Sequence, residues 1–284
     1  MSAGRLVSRT SLYGFALLVC VVTAFPVLWM VATSLKTPSE ALQSPPVWIP
    51  SSPTLEAYGQ VGDVIDVGRS FVNSALIATI TTAGILVTSL LAGYVFAKYR
   101  FRGRDGFRGR DALFALLIAT MFLPPIVTLI PLYRIVGQLG IDGNLAGVIV
   151  PNLANAFGIF LMRQFIAGVP DELIEAARLD GASELRIVFS IVAPVVLPAL
   201  ATLALFAFVY HWNSYLWPLT VLQGNEDHAP IVLSLARLLT YTGSAQNTPI
   251  VMAGATLAVL PPLLLFVVLQ RFFVNTMART GLSG

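Results

Sequence analysis

The chain has 284 residues, of which 56% are hydrophobic and 11% charged, with a mean hydropathy of +0.81 and a formal net charge of +3. No ordinary soluble domain has this composition. A single cysteine, Cys20, excludes intrachain disulfides and cysteine metal clusters, and two histidines, His211 and His228, argue against a metal enzyme.

Charged residues avoid the windows 10–35, 70–97, 112–133, 143–162, 187–225 and 238–270. Each window reaches the length of about 20 apolar residues that crosses a bilayer. The fifth is too long for one span and breaks at the polar and aromatic run His211 to Pro218, which suits a membrane interface. The predicted spans are therefore about 12–34, 71–97, 112–133, 146–165, 188–210 and 250–270, in one all-α integral membrane domain covering 1–284.

Arg5 and Arg9 precede the first span. A cleaved secretory signal ending near Ala32 and Ser34 is the alternative, but the apolar core is longer than the roughly 7–15 residues of a signal. In 36–70, Pro38, Pro45, Pro46, Pro50 and Pro53 forbid a continuous helix, and Glu40, Glu56, Asp63 and Asp66 keep the segment in water. It is expected to be an external loop of extended pieces. In the second span, Thr79, Thr81, Thr82, Thr88 and Ser89 with Gly84 and Gly93 predict close helix packing. Arg100, Arg102, Arg104, Arg108 and Arg110 form a short basic loop of the kind topology requires, rather than a nucleic-acid or lipid patch.

Pro124, Pro125 and Pro131 predict kinks in the third span. The loop at about 134–145 is short, and the one at about 216–249 contains an apolar stretch, 230–239, that lies against the membrane or re-enters it. Thirteen Lys and Arg fall on one side of this topology and four, Lys36, Arg69, Arg134 and Arg237, on the other. Basic residues are retained in the cytoplasm, so both termini are expected there, in a multi-pass protein of the cytoplasmic (inner) membrane.

The loop 168–190 is the most specific segment. Pro170 suits the first turn of a helix, and Asp171, Glu172 and Glu175 set negative charge at the positive end of its dipole. That helix runs to Asp180-Gly181, where glycine permits a left-handed turn, and Ser183 caps a second helix. Leu173, Ala176, Ala177 and Asp180 lie on neighbouring ridges that another surface could approach closely. A docking knob and a plain connecting turn both fit this pattern.

Elsewhere Asn73, Asn152, Asn155 and Asn213 are polar enough either to line a solute path or to bridge helices. No nucleophile is spaced with a base for chemistry, and His211 stands alone near an interface. The chain has no G-x-x-x-x-G-K-[ST] sequence, so it binds no nucleotide in the P-loop manner.

The run Glu175-Ala176-Ala177-Arg178-Leu179-Asp180-Gly181-Ala182-Ser183, followed by Ile191 and Pro194, resembles the EAA loop of bacterial ABC importer permeases, with Ala193 where that pattern usually has Leu. Further stretches, including Phe71 to Ser74, Ala92 to Ala97, Thr128 to Tyr133, Gly158 to Phe165 and Trp212 to Leu219, are similar to the smaller permease of carbohydrate importers. That family usually has an acid at the position of Ser214.

The resemblance implies a MalG-like type I ABC importer permease fold. It implies an ATP-driven, binding-protein-dependent import of a sugar or sugar-like solute: oligosaccharide, disaccharide, amino sugar or glycerol phosphodiester. Glu175, Ala176, Ala177, Asp180, Gly181 and Pro194 would couple the permease to an ATPase. Trp217, Gln223 and Asn225 would lie in the loop that meets the binding protein, and the tail 271–284 would reach the ATPase dimer. The implied partners are a second, different permease, two ATP-binding cassette subunits, an extracytoplasmic solute-binding protein and membrane lipid, with no nucleic acid. No cofactor is expected on this chain, since ATP and Mg belong to the partner subunits. The rival class is an ion-coupled secondary transporter, against which the absence of charged side chains from the six windows argues.

Overall fold

The computed structural model describes residues 3–99, 109–242 and 247–280, with side chains placed for 12–99, 109–240 and 247–270, and no strand occurs among the described residues. Arg100, Arg102, Arg104 and Arg108 and the last four residues of the tail lie outside them.

In chain order the helices are α1 (Ala3–Ser34), α2 (Pro38–Ala41), α3 (Glu56–Val64), α4 (Val67–Lys98), α5 (Gly109–Thr120), α6 (Pro125–Gln138) and α7 (Leu145–Ile149). Then come α8 (Ala156–Ala167), α9 (Asp171–Leu179), α10 (Glu184–Ile187), α11 (Ala193–Val195), α12 (Leu197–Trp212), α13 (Leu216–Leu222), α14 (Ile231–Thr242) and α15 (Thr248–Thr280). A 3-10 turn, Val150–Asn152, follows α7, and a π-helical turn, Val188–Val192, joins α10 to α11.

Leu12–Ser34, Val67–Lys98, Leu145–Ala167 and Thr248–Gln270 are each long and apolar enough to cross a bilayer. The third and fifth predicted spans are not single helices. The chain turns through 100° between α5 and α6, where Pro124, extended at φ −59° and ψ 132°, and Pro125 supply no N–H to continue the ladder. It turns through 86° between α11 and α12, where Pro194 and Pro198 flank Val196 and the preceding turn has widened to a π-helix. The fourth predicted span is interrupted as well, at Pro151, before Asn155 caps α8.

The chain divides into two units, Met1–Val67 with Ser234–Leu260, and Gly68–Leu233 with Pro261–Gly284. In the first, the expected extended loop 36–70 contains helices α2 and α3. The last loop proline is Pro53, so nothing prevents 56–64 from coiling, and its four-residue period buries Ala57 and Val61 against Leu238 and Ala253. The segment ahead of α3 is tied down by Glu40 Oε1, which accepts from Ser51 N at 2.6 Å and Ser51 Oγ at 3.0 Å. Residues 231–239 of the apolar stretch lie within α14.

In the second unit α4 crosses α8 closely. A Cβ on Gly93 would lie 2.6 Å from Met162 Cβ, and one on Gly158 would lie 2.3 Å from Ser89 Oγ, so Gly93 and Ser89 are packing residues as expected, whereas Thr79 is exposed. Thr88 Oγ1 adds a hydrogen bond to Leu153 O at 2.9 Å. Around this crossing Ile85, Leu90, Tyr94, Met162 and Ile166 pack with Ile174, Ala177, Ile187 and Val188 of the EAA loop and with Val192, Val196 and Leu203 of the following helices.

Candidate functional site

Two features of the second unit carry the chemistry. The first is the EAA loop. Helix α9 starts after Pro170 with Asp171 and Glu172 in its first turn, and ends in a doubly bonded turn: Gly181 N–H donates to Arg178 O and Ala182 N–H to Ala177 O, each at 3.0 Å. Those two bonds are the Schellman arrangement, and it requires Gly181 at φ +78°. No atom stands within 4 Å of where a Gly181 Cβ would be, so backbone conformation and not space demands glycine. Ser183 Oγ accepts from Arg186 N at 3.4 Å and starts α10.

The knob so formed has two faces. Ile174 and Ala177 are buried in the core, whereas Leu173, Glu175, Ala176, Leu179, Asp180 and Leu185 are exposed, Leu179 to 90%. The expected shared ridge therefore splits: Ala176 faces outward and Ala177 anchors the knob from below. Pro194 is absent from the knob surface and sits at the 86° bend beyond it.

A set of charges fastens the knob to the end of α4. Arg178 Nε donates to Glu184 Oε1 at 2.8 Å, Tyr94 Oη donates to Glu184 Oε2 at 2.7 Å, and Arg178 Nη2 donates to Tyr94 Oη at 3.3 Å. The Arg178 guanidinium also lies 5.7 Å from the Tyr99 ring centroid. Lys98, whose side chain is 7% exposed, donates to Val169 O at 2.6 Å and to Asp171 Oδ1 at 2.5 Å. The Arg178 hydrogen bond, helped by the Tyr94 hydroxyl, holds the Glu184 carboxyl down to about 2.

The second feature is a cleft of about 830 Å³ lined by α5, α6, the 150–155 break, the end of α12 and the start of α13. Three interruptions of helix meet there: the turn before Pro125, the stretch containing Asn152, Ala154 and Asn155, and Asn213 to Tyr215. Irregular backbone at membrane depth persists where it lines a cavity. Asn152 Nδ2 donates to Val148 O, Asn213 Nδ2 donates to Val209 O, both at 2.9 Å, and Asn155 Oδ1 accepts from Gly158 N at 2.9 Å. His211, 8% exposed, stacks edge-on against Tyr210 with centroids 5.1 Å apart and borders both this cleft and a smaller cavity of about 240 Å³.

Residues 89–279 match the family described as binding-protein-dependent transport system inner membrane component. This chain belongs to that family of ABC importer permeases. The permease is 30% identical over 287 residues to the sn-glycerol-3-phosphate transport system permease protein UgpE of Agrobacterium fabrum, covering 99% of each chain. It is 36% identical over 233 residues to the osmoprotective compounds uptake permease protein GgtD of Synechocystis, covering 80% of this chain and 76% of that one. With the lactose transport system permease protein LacG of Rhizobium radiobacter it shares 34% identity over 265 residues, 93% of each. Among solved structures, a chain of a bacterial ABC transporter involved in the import of the acidic polysaccharide alginate superposes with a TM-score of 0.77 at 24% identity, covering 96% of the permease and 99% of that chain. That likeness concerns the fold.

Of the four asparagines singled out in the sequence of the permease, Asn152, Asn155 and Asn213 come together at the cleft. Asn73 does not: it is 5% exposed, and its amide donates to Asp227 O at 2.9 Å and Ala229 O at 3.2 Å, tying α4 to the segment before α14. Trp217 lines the cleft and donates from Nε1 to Val148 O at 3.3 Å. Gln223 takes a left-handed conformation at φ 49° and donates to Tyr133 Oη, and Asn225 Nδ2 donates to Gly143 O at 2.8 Å. Gln223 thus ties the loop to α6, and Asn225 ties it to the 139–144 turn. Sequence reasoning missed Arg178, Glu184 and Lys98 as partners of the knob, and Tyr210 and Tyr215 as cleft residues.

Proposed function

We propose that this permease crosses the cytoplasmic membrane six times, counting each bent pair as one span, with both termini and the EAA loop in the cytoplasm. There it imports a sugar or sugar-like solute together with a second permease, two ATPase subunits and a solute-binding protein. The observation that carries this reading is the EAA loop: a turn-locked knob that exposes Leu173, Glu175 and Leu179 and is bound underneath to the body of the permease. Exposed leucines ringed by acids form an apolar patch of the kind that partners cover. The names of the relatives, which include lactose, glycerol-phosphate and arabinooligosaccharide systems, support the solute class.

An ATPase dimer that grips the knob differently in its open and closed states would bias the permease between inward-facing and outward-facing arrangements, because only differential binding shifts such an equilibrium. The fifth span begins at the knob and ends at Asn213 in the cleft, so the two sites share one continuous piece of chain. Trp217 and the Gln223–Asn225 segment would meet the binding protein on the opposite side, and the 271–284 tail would extend toward the ATPase. ATP and Mg would be bound by the partners.

The test is purification of the tagged permease from its host in mild detergent, with identification of the proteins that accompany it and assay of solute-stimulated ATP hydrolysis. An ATPase, a second permease and a binding protein are expected, and Leu179→Arg should release the ATPase from an otherwise folded permease. Recovery of the chain alone, with vesicles taking up solute on an ion gradient, would replace this reading with a secondary transporter.

A further inference from the structure

We infer that the cleft receives an uncharged, polyhydroxylated solute, and that the residues of this chain discriminate against solutes bearing a phosphate or carboxylate. The inference deepens the importer reading and rests on it.

Among the described residues the lining of the cleft contains no Asp, Glu, Lys or Arg and one imidazole, the buried His211, and it is bordered by polar side chains from four segments of the chain. Each of its asparagines is oriented by a single hydrogen bond to the backbone and leaves the other half of its amide uncommitted among the described residues. Asn152 and Asn213 use Nδ2 and keep Oδ1 as an acceptor, while Asn155 uses Oδ1 and keeps Nδ2 as a donor. Fixing one end of an amide removes the freedom to flip, so the remaining acceptor and donor are set before any solute arrives. Ser214, Tyr210 and Tyr215 add hydroxyls that both donate and accept. Hydroxyl groups of a solute are themselves donor and acceptor at once, and a mixed set of fixed acceptors and donors matches them.

The rest of the lining is aromatic and aliphatic: Tyr210, Tyr215 and Trp217 offer ring faces, and Leu123, Leu129 and Leu132 complete the wall. Flat apolar faces beside a few placed polar atoms suit a molecule with C–H faces and a hydroxyl rim.

An anion is served poorly by the same site. It would give up its hydration shell without meeting a lysine or arginine, and the loss is far greater for an ionised group than for a hydroxyl. The N-termini of α6 and α8 also reach the cleft, and helix N-termini favour negative charge. Their donors are depleted, because Pro124 and Pro125 carry no N–H and Gly158 N is already taken by Asn155. What remains is a weak positive dipole, too small to offset the desolvation of a full charge.

The experiment uses the complete importer, with its own ATPases and binding protein, in proteoliposomes. Lactose and an arabino-oligosaccharide are compared with sn-glycerol 3-phosphate and an alginate oligosaccharide, for uptake and for stimulation of ATP hydrolysis. The neutral solutes are expected to exceed the anions by about tenfold or more. Asn152→Leu and Asn213→Leu, each of similar size to the residue replaced, should lower neutral uptake by about tenfold while the ATPase stays bound. A preference for the anions, a response to neither class, or wild-type uptake in both variants overturns the inference and leaves the importer standing. Uptake driven by an ion gradient with no ATPase in the complex overturns the importer reading instead.

Discussion

The EAA loop and the cleft lie at the two ends of the bent helix pair that runs from α10 to α12 and are built on opposite principles. Between residues 171 and 186 the loop carries Asp171, Glu172, Glu175, Arg178, Asp180, Glu184 and Arg186, whereas the lining of the cleft has no Asp, Glu, Lys or Arg among the described residues. The loop is held by ion pairs and a glycine turn on a surface where water screens charge; the cleft is held by amide-to-backbone hydrogen bonds where helices stop. Charge is affordable at the first because both partners remain partly solvated, and excluded from the second because a desolvated charge has nothing to meet.

The strongest way to break the comparison is to remove what both regions stand on. Gly93→Leu drives a side chain into Met162 and the backbone at Arg163, which should cost about 3 kcal/mol. Knob and cleft should fail together, seen as loss of monodisperse material in detergent size exclusion. Gly181→Val acts on the knob alone. It forces a β-branched residue to φ +78°, a strain of about 1–3 kcal/mol, and should abolish solute-stimulated ATP hydrolysis while membrane insertion continues; retained coupling would show the loop to be a mere connector.

Asn155→Ala sharpens the cleft side. It removes the cap of α8, worth about 1 kcal/mol, together with a free donor. Melting should therefore fall by a few degrees and uptake should drop with the ATPase still attached; unchanged uptake would take Asn155 off the solute path. The smallest effect is expected at the clamp. Arg178 and Glu184 side chains are both about two-fifths exposed, so their pair contributes at most about 1 kcal/mol after screening. Arg178→Glu should weaken coupling and the double exchange with Glu184→Arg should restore it.

The pH dependence of that pair has a definite sign. The carboxyl of Glu184 is lowered to about 2 from an unfolded value near 4.3. Its stabilisation is thus present above about pH 4.3 and lost as pH falls toward 2. Thermal stability attributable to the clamp should be flat from pH 8 to about 5 and decline only below, a profile that Glu184→Gln should erase.

The sequence makes the apolar helices and the turn of the loop readable because both are local. Charge-free windows need only length, and Gly181, Ser183 and the acids after Pro170 act within one turn of themselves. The bends are half readable. Pro124, Pro125 and Pro194 announce a break, but angles of 100° and 86° come from what the freed helices pack against. The faces of α9 are less readable still. Ala176 and Ala177 are adjacent and chemically identical, and only the core containing Ile174 and Ile187 decides which is buried. Contacts such as Tyr94 with Glu184, 90 positions apart, leave no periodic trace. The same holds for Asn73, whose backbone partners at 227 and 229 consume the amide that the sequence left open for solute. Helix α3 was hidden by the prolines just ahead of it.

Helix α8 is twelve residues long, about 18 Å at the rise of an α-helix. Its first residue follows Asn155 at the cleft, and its last leads within four residues to Asp171 at the knob. With Gly158 and Met162 wedged against α4, it has no slack along its length. A strut of this kind neither shortens nor stores displacement, so any travel imposed at the knob has to be delivered at Asn155 undiminished. The separation of cleft and knob is then fixed by one short rod locked against α4.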